Sequence, residues 1–205
     1  MALVDREAEL PNRRHLGVFL DAAFGAAERG GRVAVVLFGL DAFSALADAR
    51  GRGGTGAVLL VLTPILSEQT RWVDMTTRFG AEQFVSVLTG TDAAEARVFA
   101  ERVRQALRAE PFPWGRVTVS AGIACPARGL VSPDVLLAEA DRALHHAVDA
   151  GGDRVFVWEP GARGRKDLAA VPGPRRHVRH GESCGGSRVQ PPGAGGARRA
   201  PTRSA

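Results

Sequence analysis

Two periods alternate in the spacing of apolar residues along residues 1–160. A spacing of three or four residues predicts helices, over 10–30, 54–70, 91–109 and 134–150, with a short helical turn over 41–51. Continuous or alternating apolar runs predict strands, over 32–40, 117–124 and 154–158, with two more strands in a hairpin over 71–84. This order of elements predicts an α+β fold, an α/β sandwich in which helices pack on a mainly antiparallel central sheet.

Two local features add detail to this prediction. The run Arg32–Leu40 is apolar after its first residue, as expected of a central strand that is covered on both faces. Pro64 lies inside the 54–70 stretch, and proline in a helix interior costs about 3 kcal/mol. We therefore expect a kink or an early end of that helix at Pro64.

The charged residues divide the chain near residue 160. The 205 residues include 27 Lys or Arg and 22 Asp or Glu, which gives a formal net charge of +5. Residues 161–205 hold 10 of the basic and 2 of the acidic residues, so that 17 basic and 20 acidic residues remain in 1–160. The positive charge therefore belongs to the tail and does not indicate a basic globular surface for nucleic acid.

The tail differs from the rest of the chain in composition. Residues 161–205 are rich in Gly, Pro and Arg and have no hydrophobic period, so they cannot bury enough apolar surface to offset the entropy of ordering. We predict a folded domain at 1–160 and a disordered tail at 161–205. The tail has no aromatic residue for base stacking, so nucleic acid is not expected as a partner.

The cysteines and the apolar runs indicate the cellular compartment of the protein. Cys125 and Cys184 show neither a metal-ligand spacing nor a disulfide framework. The first ten residues are charged where a signal peptide would be apolar, and the longest aliphatic run, 57–62, is far shorter than the ~20 residues that span a bilayer. These features predict a cytoplasmic protein with no membrane partner.

The stretch 71–84 carries the most specific motif. Its flanks are apolar or β-branched around Gly80 and Ala81, which predicts a tight hairpin in which the glycine takes a positive φ. Glu82 then lies at the tip, where its carboxylate can reach solvent and a bound ion. Phe84 follows at the start of the second strand and is expected to anchor it in the core.

The hairpin sequence Arg-Phe-Gly-Ala-Glu-Gln-Phe resembles the signature Arg-Tyr/Phe-Gly-Gly-Asp/Glu-Glu-Phe of the GGDEF family, the diguanylate cyclases that join two GTP molecules into cyclic di-GMP. The five central positions of this signature are Gly80, Ala81, Glu82, Gln83 and Phe84. Residues 117–124 also resemble the family's Val-Thr-Ile-Ser-Ile-Gly-Val-Ala, and Asp5 with Leu10–Arg13 matches its opening Asp-x-Leu-Thr-Gly-Leu-Pro-Asn-Arg in part. The resemblance covers about residues 5–158 and implies the layout of GGDEF and adenylyl-cyclase catalytic domains.

The resemblance also locates the metal site. A cyclase needs divalent cations held by carboxylates so that a 3′-hydroxyl can attack an α-phosphate. In the family these carboxylates come from the first Asp of an Asp-x-Asp-x-Phe pattern and the third residue of the signature, which here are Gly39 and Glu82. Gln83 replaces the following acid, and Asp41 holds the second Asp position of the pattern. Mg²⁺ is therefore expected only if the domain is active, with Glu82 and Asp41 as its ligands.

Further family positions have lost their functional side chains. The guanine-reading Asn and the Asp that partners it fall on Ala47 and Gly56, and the Lys and Arg that hold the phosphates fall on Val148 and Gly152. A core that keeps its pattern while these groups are replaced indicates lost catalysis and a vestigial Glu82. A weak cyclase that uses Glu82 and Asp41 on Mg²⁺ stays open as the alternative.

A second site of the family keeps its residue types in this sequence. Arg71 and Asp74 match the Arg-x-x-Asp of the family's inhibitory site for cyclic di-GMP, and Arg102 falls at its third position. An Arg fork can bind a phosphate or the Hoogsteen edge of guanine, and an Asp can accept from guanine N1 and N2. With 26 Arg and 11 Asp in the chain, one such spacing by chance is also expected.

The leading hypothesis is a catalytically inactive GGDEF domain that binds cyclic di-GMP through Arg71, Asp74 and Arg102 in bacterial signalling. It would pass this occupancy to a protein partner or to its own dimer, since family cyclases work as dimers. The third possibility is an interaction module that binds no nucleotide, with the Arg-x-x-Asp spacing arising by chance.

Overall fold

Strand β1 (Val33–Leu40) lies at the centre of the fold, and all eight of its residues are buried. The computed structural model describes residues 10, 11, 13–126 and 132–159. The other strands are β2 (Met75–Arg78), β3 (Gln83–Thr89), β4 (Val119–Ala124) and β5 (Val155–Val157), and the helices are α1 (Arg13–Glu28), α2 (Phe43–Gln69), α3 (Ala93–Ala109) and α4 (Pro133–Asp149). The tail predicted at 161–205 and the match at Asp5 lie outside the described residues.

The five strands form one sheet in the order β2-β3-β1-β4-β5. The pairs β2–β3, β3–β1 and β1–β4 are antiparallel, and the edge pair β4–β5 is parallel. The predicted fold class, a mainly antiparallel sheet with flanking helices, is therefore confirmed.

Each face of the sheet is covered by a pair of helices. Helices α2 and α3 bury one face, where Phe38 of β1 meets Phe99 of α3 edge to face with ring centroids 5.9 Å apart. Helices α1 and α4 bury the other face, where Leu37 of β1 belongs to the same cluster as Leu20 and Leu144. The alternation of side chains along β1 supplies both cores, which explains its continuously apolar sequence.

The hairpin forms where it was predicted, with one difference in its turn. The backbone N–H groups of Phe79 and Gly80 both donate to the carbonyl of Gln83, at 2.8 and 3.1 Å. Gly80 is not among the described residues with a positive φ, so the prediction of a positive φ at this glycine is wrong. A Cβ on Gly80 would meet the side chain of Gln83 no closer than 3.6 Å, and the turn therefore has room for other residues.

Helix α2 joins the helical turn predicted over 41–51 to the helix predicted over 54–70, and its interruption lies at the boundary between the two. The non-helical residue is Gly51 (φ 60°, ψ −161°), whereas Pro64 lies inside the helix, which continues to Gln69. The expected break at Pro64 is wrong. The proline frees the carbonyl of Leu60, four residues earlier, and the side chain of Leu60 is 72% exposed, so this carbonyl lies on the solvent side of the helix. No helix within the described ranges is long and apolar enough to cross a membrane.

Helix α4 approaches strand β4 at Gly122. A Cβ at this position would lie 2.1 Å from the carbonyl oxygen of Ala140 and 2.2 Å from the backbone nitrogen of Leu144. These are backbone atoms of a helix, and they cannot move unless the whole helix moves. Glycine is therefore required at the one point where the helix backbone rests on the sheet.

We predict that Gly122→Ala lowers the free energy of unfolding by about 3 kcal/mol, because overpacking forces the helix away from the sheet. Urea denaturation measures this change. Gly17→Ala is the matched control, since nothing lies within 4 Å of a Cβ in that helical position and alanine is favoured over glycine there by roughly 1 kcal/mol. Equal stabilities of the Gly122 variant and the wild type would contradict the packing described.

Candidate functional site

The Arg71–Asp74 turn lies between the end of α2 and the start of β2. The Asp74 N–H donates to the Arg71 carbonyl at 2.9 Å and closes the turn. Just before it, the Thr70 hydroxyl lies 2.6 Å from the Leu66 carbonyl oxygen and 2.7 Å from the Thr76 hydroxyl. The turn is therefore anchored to the helix on one side and to the sheet on the other.

Asp74 is held inside the protein. Its side chain is only 2% exposed, and its Oδ1 accepts from the Thr89 N–H at 2.8 Å and the Thr89 hydroxyl at 3.2 Å. Arg71 supplies the remaining donors, with Nε 2.7 Å from Oδ2 and Nη2 3.3 Å from Oδ1. The Thr89 hydroxyl also lies 3.1 Å from the Val73 carbonyl oxygen, and its single proton serves one of these two acceptors. The carboxylate is thus held by Arg71 and Thr89 of its own chain.

Arg71 faces the solvent while it is held at one edge. Its Nη2 also lies 3.0 Å from the Thr89 carbonyl oxygen and 2.8 Å from the Thr91 hydroxyl, yet the side chain is 57% exposed. The hydrogen bond to Asp74 raises the pKa of Arg71 above its ordinary value, and the charges of Asp74 and Glu95 add to this. The guanidinium is therefore a fixed cation whose Nη1 has no partner among the described residues.

Trp72 and one face of α3 adjoin this cation. The side chain of Trp72 is 95% exposed. On α3, Glu95 is close enough to influence the charge of Arg71, and Val98 and Arg102 follow it at three- and seven-residue spacing, which places them on the same helix face. Arg102 is exposed and has no hydrogen bond or ion pair with any described residue. It lies about 10 Å along the helix from Glu95.

The acidic residues near the start of α3 are already paired. Asp92 caps the helix by accepting from the Glu95 N–H at 3.0 Å, and Glu95 accepts in return from the Asp92 N–H at 2.9 Å. Arg32 lies 2.9 Å from the Asp92 carboxylate and 3.6 Å from that of Glu95. Their negative charge is partly compensated, so the flank formed by Arg71, Trp72 and Arg102 keeps an available positive charge.

At the opposite end of β1, Asp41 is bonded to the neighbouring strand. Its Oδ1 accepts from the Ser120 hydroxyl at 2.7 Å, and its Oδ2 accepts from the Thr118 hydroxyl at 2.7 Å and the Asp153 N–H at 2.9 Å. The hairpin is hydrogen-bonded to Leu40, the residue before Asp41, because the Leu40 N–H donates to the Glu82 carbonyl at 3.1 Å. The sequence reasoning missed these partners, although polar residues at alternate positions 118 and 120 could have indicated them.

The residues at this edge do not fit Mg²⁺. The carboxylate of Asp41 is engaged by three donors, and Gly39, which pairs with Gln83 across the sheet, brings no side chain. A Cβ on Gly39 would lie 3.1 Å from a methyl group of Leu144, so an apolar side chain fills this space. Of the two acidic residues expected as Mg²⁺ ligands, Glu82 is therefore the one whose carboxylate has no partner among the described residues. A magnesium site built from protein carboxylates needs one or two of them together with phosphates.

The substituted nucleotide positions also lack suitable groups. Ala47 and Gly56 have no side chain that could hydrogen-bond to a guanine edge, and Val148 is a partly exposed aliphatic residue. Gly152 has φ +71°, and a Cβ there would lie 3.0 Å from the Asp41 carboxylate. In the described ranges no group of three or more His, Cys, Asp or Glu side chains could hold a metal ion.

A cavity of about 450 Å³ lies at the C-terminal end of α3, lined by Arg104, Gln105, Arg108, Ala109 and Arg116. Asp153 accepts from Arg104 and, at 2.8 Å, from Arg108. Burial lowers the pKa of Arg104, but its hydrogen bonds to Glu101 and Asp153 outweigh this effect and raise it overall. Two of the three cations in this cavity are therefore neutralised from within the chain.

Cys125 does not provide a nucleophile. Burial, with a contribution from the charge of Asp92, raises the pKa of its thiol to about 11. The thiol therefore stays protonated at neutral pH, and the thiolate is the reactive form.

The family model described as "Diguanylate cyclase, GGDEF domain" matches residues 2–154. The response regulator PleD of Caulobacter vibrioides is 32% identical over 162 residues, which are 76% of this chain and 36% of that protein. The diguanylate cyclase DgcP of Pseudomonas aeruginosa is 33% identical over 161 residues, which are 76% of this chain and 24% of that protein.

Solved structures agree on the fold. The GGDEF domain of DgcB from Caulobacter crescentus in complex with c-di-GMP has a TM-score of 0.73 at 23% identity, with 77% of this chain and 96% of that chain covered. The active GGEEF domain of a diguanylate cyclase from Vibrio cholerae has a TM-score of 0.69 at 27% identity, with 73% and 98% covered. The chain belongs to the GGDEF domain family. It spans about a third or less of the two curated relatives named above.

We predict that Asp41→Ala destabilises the fold by about 3 kcal/mol, because it leaves two hydroxyls and one backbone N–H without their charged acceptor. Urea denaturation provides the measurement. Asp48→Ala is the control, since Asp48 is exposed and a surface change of this kind stays within about 0.5 kcal/mol. If the Asp41 variant matched the control, the carboxylate would not hold this edge together.

Proposed function

We propose that this chain is a cyclic di-GMP signalling domain that binds the nucleotide at the flank formed by Arg71, Trp72 and Arg102 and does not synthesise it. The occupied domain then acts on a protein partner or on a second copy of itself. The family membership supports the signalling context. One feature of the structure supports nucleotide binding, and another supports the loss of synthesis.

The binding half rests on the state of Arg71. Its guanidinium is fixed by Asp74, Thr89 and Thr91, and its Nη1 remains directed away from these partners. A fixed cation loses little conformational entropy when it binds an anion. Arg102, unpaired within the described residues, can contribute a second contact to a ligand that carries two phosphodiesters.

The loss of synthesis rests on the catalytic edge. Asp41 accepts hydrogen bonds from Thr118, Ser120 and Asp153, and Gly39 supplies no carboxylate. Phosphoryl transfer depends on metal ions that neutralise the charge of the transferring group. An edge with Glu82 as its one available carboxylate in the described part of the chain does not hold such ions well.

One observation favours the alternative of an interaction module that binds no nucleotide. The Arg71–Asp74 pair has an internal structural role, since it fastens the turn to Thr89, and it needs no ligand to explain it. Binding measurements separate this reading from our proposal.

We predict that titration calorimetry of the full chain detects cyclic di-GMP binding and that Arg102→Ala weakens it by roughly tenfold or more, as expected for one charge-assisted hydrogen bond. Arg97→Ala is the matched control, because Arg97 is also exposed on α3 but lies off the face shared by Glu95 and Arg102. Absence of heat with the wild type would end the binding proposal and leave the interaction module.

We also predict that incubation with GTP and Mg²⁺ yields no cyclic di-GMP above a protein-free control, because the edge beside Glu82 lacks the carboxylates for the metal. Chromatography of the nucleotides provides the measurement, with an active diguanylate cyclase as the positive control. Product that disappears in a Glu82→Ala variant would establish the weak cyclase instead.

A further inference from the structure

Three arginines line one cavity at the C-terminal end of α3. Arg104 and Arg108 lie four residues apart on the helix, so they share one face, and Arg116 comes from the segment between α3 and β4. Gln105 and Ala109 complete the lining of this space, whose volume is about 450 Å³. The cavity therefore brings together cations from two separate parts of the chain.

The described residues supply two acids to these three cations. Glu101 accepts from Nε of Arg104 at 2.8 Å, and Asp153 accepts from Nη1 of Arg104 and from Nη1 of Arg108. Arg116 is exposed and has no hydrogen bond or ion pair with any described residue. One positive charge at the cavity is therefore left without a counter-ion from this part of the chain.

The donor geometry of Arg108 suits a phosphate. Its hydrogen bond to Asp153 uses Nη1, so Nε and Nη2 have no partner among the described residues, and 44% of the side chain is exposed. These two nitrogens form one edge of the guanidinium, where parallel N–H groups match two oxygens of a phosphate. Arg108 can thus bind Asp153 and an external phosphate at the same time.

The lining also limits the chemistry of the ligand. Among the described residues no aromatic ring lines the cavity, so a nucleobase finds no surface for stacking. Small-molecule sites usually have volumes of about 300–1,000 Å³, and the 450 Å³ here exceed what one phosphate fills. Two or three linked phosphates match both this volume and the charge of the arginines.

A structural role accounts for one of the arginines and not for another. Arg108 lies in the last turn of α3, where a cation interacts favourably with the free carbonyl groups of the helix end. Arg116 lies outside the helices and strands, and neither a helix end nor an ion pair within the described residues explains its position at the cavity. It is the residue that separates a binding role from a structural one.

From this arrangement we propose that the cavity at the end of α3 binds an oligophosphate chain through Arg108, Arg116 and Gln105. The ligand class is a run of two or three linked phosphates, inorganic or carried by a nucleotide, with no contact to a base. Asp153 is an internal anion that positions Arg108 and competes with the external one. The inference is independent of cyclic di-GMP binding, because Arg71 is bonded to Thr91, before the start of α3.

NMR titration of the full chain with tripolyphosphate tests this site, because it follows single groups. Divalent cations are removed by a chelator, and an ionic strength of about 0.15 M screens the weak attraction of exposed charges, including those of the basic segment 161–205. We expect saturable shifts of the Gln105 side-chain amide and of the backbone amides of Arg108 and Arg116. Shifts confined to other residues would overturn the inference.

Two further ligands identify the source of the phosphates. ATP is expected to bind within roughly tenfold of tripolyphosphate, because three phosphates are common to both, and weaker binding than that would identify the inorganic chain as the ligand. A preference for ATP of more than about tenfold would show recognition of the base and contradict the inference. Cyclic di-GMP is expected to leave the three signals unchanged, since its phosphodiesters carry one charge each. Shifts of these signals by cyclic di-GMP would make the cavity a dinucleotide site and would also contradict the inference.

Variants of Arg116 test the contact itself. Arg116→Ala weakens tripolyphosphate binding at the cavity by roughly tenfold or more, as expected for a lost charge-assisted hydrogen bond, and leaves the urea midpoint unchanged because the residue is exposed. Arg116→Lys, which keeps the charge and loses the fork, lies between the two. Arg29→Ala is the matched control, since Arg29 is exposed just after α1, which covers the other face of the sheet. Equal affinities of Arg116→Ala and the wild type would overturn the inference.

Asp153→Asn tests the competition between the internal and the external anion. The change removes the negative charge, keeps an oxygen that accepts from one arginine, and suits the φ of 49° at this position, which asparagine tolerates. We expect tripolyphosphate to bind severalfold more tightly to this variant in the same NMR titration. An unchanged or weaker affinity would show that the arginines held by Asp153 do not face the ligand and would contradict the inference.

Discussion

The ion pair between the buried carboxylate of Asp74 and the solvent-exposed Arg71 is the constraint on which the candidate site depends. A carboxylate with 2% exposure is tolerated only while its charge is matched and its oxygens are bonded. Arg71 and Thr89 meet that need, and in doing so they connect the end of α2 to the end of β3. Trp72 lies in the same turn, and its side chain is 95% exposed.

A second hydrogen-bonded carboxylate has the opposite effect at the other end of β1. Asp41 joins this strand to β4 and to the backbone of Asp153, and three donors of its own chain engage its two oxygens. Around it, Gly39 and Gly152 offer no functional group. The two ends of the sheet thus differ in the groups that are available to a ligand. The flank offers a cation and an aromatic ring, whereas the carboxylate at the hairpin edge joins two strands. This difference is the physical reason to expect binding without synthesis.

The sequence predicted the elements well because burial imposes its periods locally. The apolar run around Phe38 is typical of a strand covered on both faces, and the three- and four-residue spacing over 91–109 predicted helix α3. The hairpin was also predictable, since its flanks and turn lie within a few residues of each other. The sequence reasoning was wrong about Pro64, because tolerance of a proline depends on which side of the helix faces solvent, and this is a tertiary property.

The site was less predictable for the same reason. The residue types of the Arg-x-x-Asp motif can be read from the chain, but the burial of Asp74 depends on Thr89, fifteen residues further along. Trp72 can also be read from the sequence, but its exposure depends on the hydrogen bonds that hold the turn. The division at residue 160 stays a prediction, since the tail lies outside the described residues.

A crystal structure of the full chain with cyclic di-GMP bound tests the central claim most directly. Our account predicts a nucleotide at the flank, with a phosphate at Nη1 of Arg71. A nucleotide at the hairpin edge with a cation between Glu82 and Asp41 would contradict it.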